Sequence, residues 1–209
     1  ELAIADAMAG RDVCGKAKTG SGKTLAFSLP SVAHTERSAD GKPSTLMLTP
    51  TRELANQITG GVEPLAISQK LRPIAVYGGT NIDKQIETIT AGIDIIIATP
   101  GRLIDLIDRE AVDISSIKRV VVDEADRMAD MGFMEPVCDI LDRCAPNRQT
   151  VLFSATLDDE VGDLVDKYLH EPVTIEVGPK EVSMDSMEHF FWLMKSSMKP
   201  GIASEVIRK

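Results

Sequence analysis

The chain has 209 residues, 43% of them hydrophobic, enough to bury one good core as a single domain with a little left over. No segment approaches the ~18 consecutive apolar residues of a membrane span, and the three cysteines, Cys14, Cys138 and Cys144, are an odd number without CxxC spacing, which argues against a disulfide framework or zinc site and for reduced, cytoplasmic thiols. A net charge of −9 argues mildly against a nucleic-acid partner, although overall charge says little about one groove on one face.

The opening residues, Glu1-Leu2-Ala3-Ile4, carry no initiator Met, no basic region and no signal-like apolar run. The chain therefore reads as a piece of something longer. From there, short apolar runs alternate with amphipathic helical stretches. Strands are expected over 12–16, 45–48, 72–77, 94–98, 119–123, 150–154 and 173–177, with helices over 23–34, 52–67, 83–91, 102–109, 135–143 and 158–168. Two runs, Ile93-Asp94-Ile95-Ile96-Ile97-Ala98 and Val120-Val121-Val122, are apolar with almost no alternation. Strands of this kind are covered on both faces, as in a parallel sheet between helical layers. The second helix contains Gly60-Gly61, each costing ~1 kcal/mol against Ala, and a bend or break is expected there.

The alternation predicts a doubly wound α/β domain over 1–178 whose ligand sits beyond the carboxyl ends of the strands. Residues 36–43 read as a polar surface loop and 178–186 as a linker. Beyond the linker, 187–194 reads as a strand and 202–209 as a helix, so 179–209 is expected to be a linker and the start of a second domain.

Ala17-Lys18-Thr19-Gly20-Ser21-Gly22-Lys23-Thr24 follows the first strand and opens a helix. Small residues here let successive backbone N–H groups turn inward around phosphate oxygens. In such a P-loop Lys23 reaches the β- and γ-phosphates and the Thr24 hydroxyl ligates Mg²⁺. A magnesium site also needs a carboxylate, and Val120-Val121-Val122-Asp123-Glu124 ends a buried strand with two. Asp123 is expected to hold the metal and Glu124 to orient and deprotonate the attacking water. A glycine-rich turn and a helix-capping acidic pair are the bland alternatives.

Asp123-Glu124-Ala125-Asp126 spells the signature of the DEAD-box RNA helicases of superfamily 2, and the other motifs of that family's first RecA-like domain occur in family order. They are Ala17–Thr24 (motif I), Pro50-Thr51-Arg52-Glu53-Leu54 (Ia), Gly78-Gly79 (GG), Thr99-Pro100-Gly101-Arg102 (Ib) and Ser154-Ala155-Thr156 (III). The wording and compact spacing resemble a bacterial member. The resemblance implies a RecA-like fold: a doubly wound, mostly parallel sheet with helices on both faces. It implies ATP and Mg²⁺ as cofactors. It also implies that Pro50, Thr51, Arg52, Gly79, Thr99, Pro100, Gly101 and Arg102 grip the sugar–phosphate backbone of RNA independently of sequence. Ser154 and Thr156 resemble a relay towards Asp126 that couples nucleotide state to domain closure. Few phosphates held by arginines, hydroxyls and amides need no large positive field, so the acidity is compatible with such binding.

By the same resemblance, the adenine-reading glutamine falls immediately before Glu1, and motifs IV to VI, with the arginine that completes the ATPase site, belong to a second RecA-like domain. This stretch alone is therefore expected to be a monomer that binds nucleotide weakly and hydrolyses it barely. ATP-driven separation of short RNA duplexes and an ATP-dependent RNA clamp both fit the motifs. A P-loop ATPase acting on DNA or protein leaves Pro50–Leu54 and Thr99–Arg102 without a purpose.

Overall fold

Seven short strands build one parallel sheet in the computed structural model, which describes residues 2–17, 22–37, 40–157 and 159–177. The strands are β1 (Val13–Ala17), β2 (Thr45–Leu48), β3 (Pro73–Val76), β4 (Ile95–Ala98), β5 (Arg119–Asp123), β6 (Gln149–Ser154) and β7 (Val173–Val177). They lie in the order β3-β4-β2-β5-β6-β1-β7, every neighbouring pair parallel. The parallel register follows from composition: β2 and β4 are buried along their whole length and have no polar face to offer water.

Eight helices are described: α1 (Leu2–Met8), α2 (Lys23–His34), α3 (Arg52–Ser68), α4 (Ile82–Thr90), α5 (Pro100–Asp108), α6 (Ala125–Asp130), α7 (Met134–Arg143) and α8 (Asp159–Tyr168). Alternate strand residues feed two cores. Met47, Ile95, Ile97, Val121, Val151 and Phe153 pack with α1, α2 and α3 through Ala7, Phe27, Ile58 and Val62. Leu46, Leu48, Ile96, Val120, Val122 and Leu152 pack on the other face with α4 to α8. Each fully buried Val, Leu or Ile contributes ~1.5–3 kcal/mol, so the two apolar layers carry most of the driving force. The doubly wound α/β expectation holds, with helices on both faces.

Four details differ from the sequence expectation. The helix with Gly60-Gly61 runs unbroken from Arg52 to Ser68. Pro64 also lies inside it, and the carbonyl its ring crowds, four residues back, is that of Gly60, which is exposed and has open space around its α-carbon. Helices α1 and α6 were not expected; at 7 and 6 residues they are too short to show a period. Helix α5 starts at Pro100, where a fixed φ and a missing N–H suit a first turn. Finally, Asp12 and Asp94 precede their strands and act as staples. Asp12 accepts 2.7 Å bonds from the N–H groups of Thr150 and His170. Asp94 accepts from the backbone and side chain of Arg72. The expected linker, strand and helix beyond 178 lie outside the described residues.

Candidate functional site

The strand order sorts the motif loops into two groups along the carboxyl edge of the sheet. Strand β6 lies between β1 and β5, so the ends that carry the P-loop, Ser154 and Asp123-Glu124 are neighbours. Strands β3, β4 and β2 occupy one side of β5, and their ends carry Gly78-Gly79, Thr99–Arg102 and Pro50–Leu54.

In the first group, Lys23 opens α2 with its side chain buried. Its ammonium donates to the Ala17 carbonyl at 3.1 Å and lies 3.7 Å from Asp123 Oδ1, an ion-pair distance. Gly22 precedes it with φ 82°, a left-handed turn that glycine takes without strain. The Thr24 methyl faces Gly61 of α3, where a Cβ would stand 3.7 Å away, in ordinary contact. Lys18, Thr19, Gly20 and Ser21 lie outside the described residues.

Burial chiefly, and the neighbouring Glu124 charge, push the Asp123 carboxyl up to about 6 against the pull of Lys23. Its Oδ1 is buried and has no hydrogen-bond partner. A buried carboxylate oxygen with no hydrogen-bond partner, beside the Lys23 ammonium, suits a hard divalent cation shared with phosphates, because Mg²⁺ takes few protein ligands and keeps the rest for water and substrate. Among the described residues no group of three or more His, Cys, Asp or Glu could hold a metal by itself. The donor set therefore fits a metal that arrives with phosphate.

Glu124 adopts φ 55° and ψ 52°, a left-handed conformation that glutamate rarely takes. This one residue turns the chain from β5 into α6. Strain of this kind, of order 1 kcal/mol, persists where surrounding structure over-determines it and is concentrated at functional sites. Arg127 stands 3.4 Å from the Glu124 carboxylate. The backbone N–H of Asp126 donates to Ser154 Oγ, and Asp126 Oδ2 accepts from the Ala155 N–H. Thr156 is exposed and shares a hollow of about 480 Å³ with Asp126, Asp130 and Glu160.

In the second group, Thr51 caps α3 by accepting from the Leu54 N–H at 3.3 Å, which leaves its hydroxyl hydrogen available. Arg52 is exposed, paired with Glu53 at 2.7 Å, and a Cβ on Gly79 would sit 3.7 Å from its guanidinium. Gly79 has φ 83°, so a side chain there would be strained. Gly101 is exposed at the start of α5, and the Thr99 hydroxyl makes no cap bond. Pro50 and Pro100 are buried and shape the turns from within. The Arg102 guanidinium points inward: it donates to the Thr80 carbonyl and to Gln85 Oε1. Sequence reading did not single out Gln85, since a lone amide on an amphipathic helix carries no signal.

The DEAD/DEAH box helicase model matches residues 1–164, a span that contains every motif loop of both groups. The chain belongs to the DEAD/DEAH box helicase family. It is 42% identical over 97% of its length to DEAD-box ATP-dependent RNA helicase 9 of Oryza sativa subsp. japonica. It is 44% identical over 92% of its length to the pre-mRNA-processing ATP-dependent RNA helicase prp-5 of Neurospora crassa. Those alignments span 33% and 17% of the relatives, so the chain covers a third or less of them. The crystal structure of a DEAD box protein from the hyperthermophile Methanococcus jannaschii superposes with a TM-score of 0.79 at 29% identity, covering 100% of this chain and 56% of that one. The helicase domain described here is thus a RecA-like domain of that family. Among its described residues no helix is long and apolar enough to cross a membrane.

Proposed function

We propose that this chain is the ATP-binding first RecA-like domain (1–178) of an RNA helicase that hydrolyses ATP to separate or remodel short RNA duplexes. The observation that carries this reading is the division of the sheet edge. Ala17–Thr24, Ser154 and Asp123-Glu124 follow or end the adjacent strands β1, β6 and β5, while Gly78-Gly79, Thr99–Arg102 and Pro50–Leu54 follow β3, β4 and β2 on the other side.

Lys23, the P-loop from Ala17 to Thr24 and Asp123 hold the triphosphate and Mg²⁺, with Thr24 and Asp123 as the metal's protein ligands. Bound Mg²⁺ neutralises charge that develops on the transferred phosphoryl group. Glu124, aimed by its left-handed backbone, accepts the proton of the attacking water. Thr51, Arg52, Gly79, Thr99, Gly101 and the backbone around Arg102 grip RNA phosphates without reading bases, with Pro50 and Pro100 holding those turns. Asp126, Ser154 and Thr156 pass the nucleotide state on to closure against a second RecA-like domain, whose linker begins at 179. The three thiols are free, which suits a monomeric protein in the reducing cytoplasm.

The test is ATP turnover by the whole polypeptide, including the second domain, with and without single-stranded RNA. Strong stimulation by RNA and not DNA, reduced by ~10²–10⁴ in Glu124→Gln, is the expected result. Steady turnover indifferent to RNA would end the helicase reading and leave a plain P-loop ATPase.

A further inference from the structure

We infer that Gln85 is a positioning residue for RNA binding: a strut that sets the spacing between the Tyr77–Thr80 turn and the first turn of α5. The inference rests on the RNA-gripping role proposed above for Gly79 and for Thr99 to Arg102.

Gln85 lies on α4 and is only 8% exposed. Its Nε2 donates to the Tyr77 carbonyl at 3.2 Å and to Thr80 Oγ1 at 2.6 Å. Its Oε1 accepts from Arg102 Nη1 at 3.2 Å. Arg102 closes the ring by donating to the Thr80 carbonyl at 3.3 and 3.4 Å, its side chain 13% exposed. Thr80 Oγ1 donates in turn to the Tyr77 carbonyl at 3.1 Å.

The amide's orientation follows from its partners. A guanidinium has no acceptor, so it must meet the oxygen, and a carbonyl has no donor, so it must meet the NH₂ group. Only a side-chain amide supplies two donors and an acceptor from one terminus, and only Gln among amides has the reach. A Glu would keep the Arg102 bond and lose both donors; a Leu would lose all three.

Two consequences follow for RNA. The Arg102 guanidinium is committed inward, so what α5 offers a phosphate is its uncapped first turn, with Gly101 exposed and the Thr99 hydroxyl unengaged in capping. Gly79, held at φ 83° within the braced turn, presents its backbone beside Arg52. The strut therefore fixes the distance between two phosphate grips while touching neither RNA nor nucleotide.

The experiment uses the whole polypeptide with its second domain and measures binding of a fluorescent single-stranded RNA at several salt concentrations. Binding of a fluorescent ADP analogue and RNA-stimulated turnover are measured on the same samples. The unaltered protein is measured first: if it does not bind RNA, the RNA reading itself falls, and Gln85's role with it. With binding established, Gln85→Leu is expected to raise the RNA Kd and the RNA KM about tenfold, with kcat at saturating RNA and nucleotide affinity unchanged. The dependence of log K on log salt should keep its slope, because no phosphate contact is lost, whereas Arg52→Ala should flatten it by about 0.7. Gln85→Glu, nearly isosteric, carries the test if the leucine variant folds poorly. It is expected to weaken RNA binding and to speed amide exchange at Gly78, Gly79 and Thr80 ahead of the rest of the domain. RNA affinity preserved in the folded variant, a flattened salt slope, or a matching loss of nucleotide affinity would each overturn the strut. The first would leave it idle, the second would put Gln85 or Arg102 on the RNA, and the third would make the effect a general loss of fold.

Discussion

Asp126 and Ser154 are joined across adjacent strand ends: the Asp126 backbone N–H donates to Ser154 Oγ at 3.1 Å, while the Asp126 carboxylate accepts from the N–H of Ala155 at 3.3 Å. The turn that follows Glu124 is thereby tied in both directions to the end of β6. Thr156, two residues beyond Ser154, lines the same surface hollow as Asp126.

Replacing Ser154 with Ala removes the acceptor for a partly buried N–H and is expected to lower stability by about 1 kcal/mol in urea unfolding. In the whole polypeptide, RNA strand separation should fall several-fold further than ATP hydrolysis does. A parallel fall in both activities would show the bond to be a structural tie and nothing more.

Asp123 makes stability depend on pH in a defined direction. Its carboxyl is raised from 3.8 to about 6, chiefly by burial, so the folded state holds the proton more tightly than the unfolded chain. Stability contributed by the protonated form is complete below about pH 4 and is lost as pH rises through about 6, a loss on the order of 3 kcal/mol. Without Mg²⁺, urea midpoints should therefore fall over that window, and Asp123→Asn should flatten the fall. A slope of the same size in the variant would assign it to another group.

The Arg72–Asp94 pair runs the other way. Burial of Asp94 by itself raises its carboxyl, but hydrogen bonds from the Arg72 side chain and backbone, with its charge, more than reverse this and leave the group below its usual 3.8. The contribution is present above pH ~4 and disappears as pH drops below that range. With Asp94 fully buried, Asp94→Ala strands the Arg72 guanidinium and backbone N–H without their acceptor and should cost about 3 kcal/mol. Chemical denaturation at pH 7 against pH 3 checks both statements: the variant's deficit should shrink at the lower pH.

Gly15 pairs with Phe153 across β1 and β6, and a Cβ on it would stand 2.3 Å from the ring. Gly15→Ala should therefore cost ~1–3 kcal/mol through overpacking. Phe153→Leu in the same chain should recover part of that cost, although it also loosens the contact with Phe27, whose ring centroid is 5.9 Å away. Strictly additive losses in the double variant would mean that the two residues do not compete for the same space.

Much of this molecule could be read from residue order. Unbroken apolar runs such as Ile95-Ile96-Ile97 have no polar face, so they demand a parallel sheet covered on both sides, and all seven strands were found within a residue or so of their expected places. Edges were blurred by side chains that do backbone work: Asp12 and Asp94 read as strand residues because they lie in apolar surroundings, yet they cap neighbouring N–H groups instead. Helix α6 was hidden because its start depends on one left-handed Glu124, a conformation that residue preference disfavours.

The chemistry was local, and local chemistry is what sequence records: a phosphate loop needs small residues in a row, and a metal site needs a carboxylate at a strand end. Arrangement was not local. Nothing in the spacing of Pro50–Leu54, Gly78-Gly79 and Thr99–Arg102 states that their strands stand together on one side of β5, because strand order arises from crossover packing of two apolar layers. Nor could spacing tell that Arg102 turns inward. Whether a guanidinium meets solvent or a buried amide depends on Gln85, 17 residues away on another helix, and that meeting exists only once α4 and α5 have packed on the sheet.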